Sequence, residues 1–120
     1  MRDIRERTFK FALRIMKLCQ QLEEQRGVAR TLGWQLLRSG TSIGANVEEA
    51  QAGQSKLDFI SKNAIALKEA RETIYWLRLL AESGVIPARR ISELQCEAEE
   101  LARIIGAIIV SAKRPRREEK

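Results

Sequence analysis

Any chemistry in this chain would have to come from carboxylates, because its 120 residues include two cysteines and no histidine. That composition excludes Ser-His-Asp and Cys-His catalytic arrangements, and two thiols without histidine cannot form a structural zinc site. Glutamates spaced i, i+3 could hold Mg²⁺, as in all-α nucleotide pyrophosphohydrolases, and Glu69, Glu72 and Glu97 are the candidates. Each has lysine or arginine nearby, which favours salt-bridged helix surfaces instead. We therefore expect no enzyme, no metal site and no cofactor.

Basic residues are the second group that could bind a partner. Lysine and arginine outnumber aspartate and glutamate by 22 to 16, which gives a formal charge of +6. This surplus favours an anionic partner such as nucleic acid, and a merely solvated surface is the competing interpretation. Two segments concentrate the charge, a helix-one ridge at 3-4-3 spacing and a basic tail. The ridge comprises Arg7, Lys10, Arg14 and Lys17, and the tail comprises Lys113, Arg114, Arg116 and Arg117.

Four segments with apolar residues at helical spacing must position these groups. The cleanest stripe repeats at 3-4 spacing from Ile91 to Ala112, and Val28 is expected to open the buried stripe of the second segment. Gly27 and Gly84 are expected to close the first and third helices, and short turns between helices imply an antiparallel up-down-up-down four-helix bundle. We expect helices over residues 3–24, 28–52, 56–83 and 88–112, one domain over 1–112, and a disordered basic tail over 113–120.

Polar residues in an apolar setting mark one edge of the second helix. Ser39, Ser42 and Asn46 lie about one turn apart, and each needs a hydrogen bond if it is buried. We interpret them as structural, bonded to a backbone carbonyl or a facing helix to fix the register, rather than as a ligand site.

The thiols and the termini indicate a location. Cys19 and Cys96 fall among aliphatic residues, so both are predicted to be buried free thiols in a reducing compartment. The N-terminal residues lack the apolar core of a signal peptide, and the longest apolar run, Ile104–Val110, is far shorter than a membrane helix. We expect a cytoplasmic protein that does not enter a membrane.

Two of the predicted helices carry more apolar surface than one bundle core can cover. On each, a second apolar strip lies well away from the strip that faces the core. A second copy of the chain is the expected cover, so we predict a homo-oligomer. The predicted interface residues are Phe9, Leu13, Met16, Ile65, Trp76 and Leu79.

Two runs of sequence resemble a known family. They read TSIGANVEEAQAG, from Thr41 to Gly53, and DFISKNAIALKEARETIYWLRLL, from Asp58 to Leu80. Together they resemble the four helix bundle protein family, whose older name is the 23S rRNA intervening-sequence protein family. A Ser-Ile-x-x-Asn-x-x-Glu spacing and a Glu-Thr-x-Tyr-Trp-Leu segment are its fairly specific features. The residues to which we assign a structural role in these motifs are Ser39, Ser42, Asn46, Glu49 and Glu72.

The resemblance implies more than the residue pattern does. Members are antiparallel four-helix bundles, some form homopentameric rings, and some are encoded within insertions in large-subunit ribosomal RNA genes. A relative, the accessory protein of diversity-generating retroelements, binds nucleic acid and a reverse transcriptase through a basic surface. The family has no assigned catalytic residues. We therefore expect a non-enzymatic pentamer that binds RNA or DNA through repeated basic patches, or alternatively a ring that scaffolds a protein partner such as a reverse transcriptase.

Overall fold

The structure, a computed structural model, describes residues 3–115, and these form four α-helices and no strand. The helices are α1 (Ile4–Glu23), α2 (Val28–Gln51), α3 (Lys56–Ser83) and α4 (Ala88–Lys113). Every boundary lies within one residue of the predicted bound, and the all-α class is confirmed. Two residues of the basic tail, Arg116 and Arg117, lie outside the described residues.

Local side-chain and backbone chemistry explains where the helices begin and end. The Ser55 hydroxyl accepts a hydrogen bond from the Asp58 backbone N–H at 3.1 Å, which caps the start of α3. Gly84 closes α3 in the left-handed conformation, with φ 74°. The expectation for Gly27 was wrong: α1 ends at Glu23 with Glu24 as its C-cap, and Gly27, with φ 75°, is instead the N-cap of α2.

The buried side chains of the four helices form one apolar core. The α4 stripe is buried as predicted from Ile91 to Ile105. Val28, expected in the core, is 71% exposed, because it is the first residue of α2 and the next residue, Ala29, takes the inward position. The largest fully buried apolar side chains are Phe11, Ile15, Leu22, Leu36, Ile43, Leu77, Leu80, Ile91, Leu101 and Ile105.

Glycines let α1 and α2 approach closely. A Cβ added to Gly40 would lie 2.9 Å from Cγ2 of Ile15, and one added to Gly44 would lie 3.2 Å from Oγ1 of Thr8. These contacts run in opposite order along the two helices, and α2 is continuous through Ser39 and Gly40. The loss of helix propensity at these glycines, up to ~1 kcal/mol each, is thus offset by close packing.

The remaining helix pairs differ in how closely they pack. Helices that follow one another in the chain pack extensively, whereas α1 and α4 approach each other much less. The α1–α4 seam is instead crossed by ion pairs from Arg7 and Arg14 to glutamates of α4. None of the four described helices combines the length and the hydrophobicity needed to cross a bilayer.

Candidate interaction surfaces

The first residue of the helix-one ridge is turned onto α4. Nη2 and Nε of Arg7 lie 2.7 Å and 3.2 Å from the two carboxylate oxygens of Glu97, and Nη1 lies 2.9 Å from Oε1 of Glu100. The Arg7 side chain is only 15% exposed. Hydrogen bonding to Glu97, and then to Glu100, raises the pKa of Arg7. Its charge is therefore held against carboxylates rather than presented to solvent.

Two further ridge residues also have acidic partners. Nη2 of Arg14 lies 3.5 Å from a carboxylate oxygen of Glu93 on α4, and Nζ of Lys10 lies 2.7 Å from Glu6, one turn earlier in α1. Both pairs are exposed, so each contributes little to stability. Lys17 is exposed. The ridge is therefore partly neutralised by the fold.

The described part of the basic tail, Lys113 and Arg114, lies beside Lys56, a cation that the sequence analysis missed. Lys113 is the last residue of α4, and Nζ of Lys56, the first residue of α3, donates to the carbonyl oxygen of Arg114 at 3.4 Å. All three side chains are exposed. We call Lys56, Lys113 and Arg114 the basic end. Such a cluster attracts phosphate groups without any requirement for base recognition.

The two magnesium candidates on α3, Glu69 and Glu72, bind an arginine of α2. Nη1 of Arg38 lies 3.3 Å from Glu69, its Nη2 donates to Glu72, and Nε1 of Trp76 donates to Glu72 at 3.2 Å. The hydrogen bond from Arg38 is the main cause of a lowered pKa at Glu72. Glu72 therefore stays ionised and joins α2 to α3.

These pairings bear on the magnesium hypothesis. Glu69 and Glu72 on α3 share Arg38 of α2. Glu97 on α4 is instead bound to Arg7 of α1. Within residues 3–115 the fold brings together no group of three or more acidic or thiol side chains that could hold a metal ion. The three glutamates thus form two separate ion-pair networks in the structure.

The polar edge of α2 is bonded to the backbone and to α3. Ser39 is fully buried, and its hydroxyl lies 2.9 Å from the hydroxyl of Thr73, a buried residue that the sequence analysis did not single out. The Ser42 hydroxyl donates to the Arg38 carbonyl at 2.6 Å, and the Asn46 amide donates to the Ser42 carbonyl at 2.9 Å. Glu49 lies nearby on α2 and forms an exposed ion pair. Ser42 and Asn46 thus bond to the backbone of α2, whereas Ser39 bonds to α3.

An apolar face lies along α1 and α2. Phe9, Leu13 and Met16 are 64%, 44% and 47% exposed, and Trp34, which the sequence analysis missed, is 61% exposed. Met16 and Trp34 line a groove of about 290 Å³ between the two helices, with Leu37 and the Cys19 thiol in its wall. We call this surface the α1–α2 face. Its aromatic and aliphatic groups are suited to contact with another apolar surface.

A second apolar face lies on α3. Ile65 and Leu79 are 39% and 38% exposed, and Tyr75, which was not predicted, is 56% exposed. Trp76 was expected to be exposed but is half-buried, because its indole packs against the core and donates to Glu72. Tyr75 lies edge-on to it, with ring centroids 5.3 Å apart. We call this surface the α3 face.

The two cysteines have different surroundings. Cys19 is buried, and its Sγ lies 3.3 Å from the Gly33 carbonyl oxygen. Burial raises the pKa of the Cys19 thiol to about 11. Cys96, predicted to be buried, is exposed because it lies off the buried stripe that contains Leu94 and Ala98 and lines an open groove at the α1–α4 seam.

We expect only one thiol to react quickly with a disulfide reagent such as Ellman's reagent in native protein near pH 8. With a pKa about 11, only about one Cys19 thiol in a thousand would be ionised at that pH, and the thiolate is the reactive form. Denaturant should release the second thiol. The Cys96→Ser variant should abolish the fast phase, and a fast phase retained in that variant would contradict the placement of Cys19.

A structure similar to this chain is the crystal structure of a protein of unknown function from the S23 ribosomal protein family of Bacteroides thetaiotaomicron. The TM-score is 0.83 at 39% identity, over 89% of this chain and 98% of the other. None of the curated proteins matches this chain. The family model for the 23S rRNA-intervening sequence protein matches residues 2–107. The chain therefore belongs to the 23S rRNA-intervening sequence protein family.

Proposed function

We propose that this chain is a non-enzymatic cytoplasmic protein whose antiparallel bundles assemble into a homopentamer and bind RNA or DNA. Binding uses basic surfaces that are repeated around the assembly. The observation that carries the proposal is the presence of two separate exposed apolar faces on one subunit. Two free thiols, Cys19 and Cys96, agree with a reducing compartment.

The two apolar faces favour a ring. The α1–α2 face and the α3 face differ in their residues and lie on different helices. A contact between unlike surfaces is heterologous, and a heterologous contact closes into a ring when its rotation allows. Aromatic residues such as Trp34 and Tyr75 are enriched at the centre of protein interfaces. Sedimentation of the wild-type protein measures this assembly directly, and a monomer at micromolar concentration would contradict it.

The basic end is the surface that best suits phosphate contact. Its cations, Lys56, Lys113 and Arg114, are exposed, whereas Arg7 of the ridge is nearly covered. A ring repeats the basic end once per subunit, which raises the local positive potential and the rate of encounter with an anion. The names of the matching family and the similar structure refer to 23S rRNA and ribosomal proteins. These names support RNA as the first probe.

We expect the affinity for a structured RNA to fall steeply with salt in filter-binding titrations. Each phosphate contact releases counterions, so the logarithm of the binding constant should decrease linearly with the logarithm of salt concentration. Replacing Lys56, Lys113 and Arg114 with glutamine should reduce that slope by about 2 to 3, because each lost contact removes roughly one unit.

A matched variant distinguishes the loss of phosphate contacts from the loss of net positive charge. Replacing Arg30, Lys62 and Arg78 with glutamine removes the same three charges, but these side chains pair with glutamates instead of lying in the basic end. Its salt slope should stay close to that of wild type. Absence of binding at low salt, or binding that is indifferent to salt, would remove nucleic acid from the proposal.

A scaffold for a protein partner is the second candidate. The pairing of Arg7 and Arg14 within the bundle favours it, because this leaves less basic surface for phosphates. In that case RNA affinity should be weak, and a purified partner such as a reverse transcriptase should bind the assembled ring. Loss of that binding in Trp34→Ala, a change expected to break the ring, would support the scaffold, whereas no binding to wild type would exclude this partner.

A further inference from the structure

Glutamates on α4 lie against the helix-one ridge. Glu93, Glu97 and Glu100 are spaced at i, i+4 and i+7, which places them on one side of the helix. Glu97 and Glu100 bind Arg7, and Glu93 lies 3.5 Å from Arg14. Within residues 3–115 these are the ion pairs that cross the α1–α4 seam. The ridge and the glutamates are therefore matched in position as well as in charge.

The contact at Arg7 resembles the way arginine holds a phosphate. Glu97 takes two N–H groups of the guanidinium in a fork, at 2.7 Å and 3.2 Å, and Glu100 takes a third at 2.9 Å. Planar two-point contact of this kind is the geometry that arginine uses for both carboxylate and phosphate. A phosphate could therefore reach Arg7 only by displacing these carboxylates.

The α1–α4 seam is sparsely packed, and its Arg14–Glu93 ion pair is exposed. α1 and α4 pack less than the helix pairs that are consecutive in the chain, and Arg14, Glu93, Glu97 and Glu100 are among the residues that line an open groove of about 310 Å³. The side chains of the Arg14–Glu93 pair are 44% and 86% exposed. Exposed ion pairs contribute little to stability, so an exchange of partners at Arg14 costs little.

We infer that Glu93, Glu97 and Glu100 act as internal competitors that keep nucleic-acid phosphates away from Arg7 and Arg14. This inference rests on the proposed function and adds its regulation. The cations of the basic end are open to phosphates, whereas Arg7 and Arg14 of the ridge bind phosphates only when the glutamates of α4 release them. The affinity for nucleic acid is thus set partly by acids on a different helix from the ridge.

The test is a salt titration of a fluorescein-labelled RNA hairpin with three proteins: wild type, the triple variant Glu93→Gln/Glu97→Gln/Glu100→Gln and a charge-matched control. The control, Glu24→Gln/Glu48→Gln/Glu99→Gln, changes the net charge equally at exposed glutamates that form no ion pair with the ridge within residues 3–115. The triple variant should bind on the order of tenfold more tightly at low salt, with a slope steeper by about 2, because two arginines become free. The control should change affinity less and leave the slope unchanged.

The outcomes show whether this inference fails alone or together with the proposed function. Adding Arg7→Ala and Arg14→Ala to the triple variant should return the slope to that of wild type. Equal slopes for the triple variant and the control, with wild type binding normally, would overturn the inference and leave the proposed function in place. No binding by any of the proteins would overturn both. If circular dichroism shows that the triple variant is unfolded, Glu93→Gln alone, at the exposed pair, should still steepen the slope by about 1.

Discussion

Replacing Phe11 with alanine is expected to reduce the free energy of unfolding by about 3–5 kcal/mol. Phe11 is 1% exposed and lies in the apolar core, so its removal would leave a cavity that the surrounding helices cannot fill. Urea denaturation followed by circular dichroism measures the loss, which is a large share of the stability of a domain of this size.

Phe9 provides the matched control, because it is the same residue type on the same helix and is 64% exposed. Phe9→Ala should change the unfolding free energy of the isolated subunit by less than about 0.5 kcal/mol. If the α1–α2 face is an assembly surface, Phe9→Ala should lower stability only at concentrations where wild type is assembled. Equal losses in the two variants at every concentration would contradict the placement of both side chains.

Replacing Gly40 with alanine should destabilise the bundle by about 1–3 kcal/mol, although alanine is the better helix former. The new methyl group would lie 2.9 Å and 3.0 Å from Cγ2 and Cγ1 of Ile15. Ile15 is β-branched and fully buried, so it cannot rotate away without displacing other core residues. Thermal unfolding of the variant should therefore shift to lower temperature.

Gly106 tests the same substitution where space is open. Among residues 3–115, no atom beyond the adjacent backbone of α4 lies within 4 Å of a Cβ added there, so Gly106→Ala should stabilise α4 by up to ~1 kcal/mol. The two glycine variants are expected to change stability in opposite directions. A stabilising effect at both positions would mean that α1 and α2 are farther apart at Gly40 than the structure has them.

Residues that obey helical periodicity could be predicted from sequence. The stripe from Ile91 to Ile105 is buried because 3-4 spacing brings every member to one side of α4, whatever the partner helix. The N-cap at Ser55 is likewise local, since the Asp58 N–H that it accepts from lies only three residues away. Such features depend on neighbours along the chain, and the sequence contains those neighbours in full.

Features that depend on the rotation and offset of two helices could not be predicted in this way. Arg7 looks like an exposed cation within α1, but the register of α4 decides that it meets Glu97. Thr73 looks like a polar surface residue, but it faces the buried hydroxyl of Ser39. For the same reason Trp34 was missed: its exposure depends on how α1 and α2 pack.

The sparse α1–α4 seam also has a consequence for how the chain reaches its native state. Because most tertiary contacts join helices that are consecutive in sequence, the chain closes only short loops to form them, and such low contact order is typical of folding within microseconds to milliseconds. Helices α1 and α4 are the most distant along the chain, and their meeting requires the largest loss of chain entropy. We expect this seam to form last as the protein folds and to open first in local fluctuations of the native state.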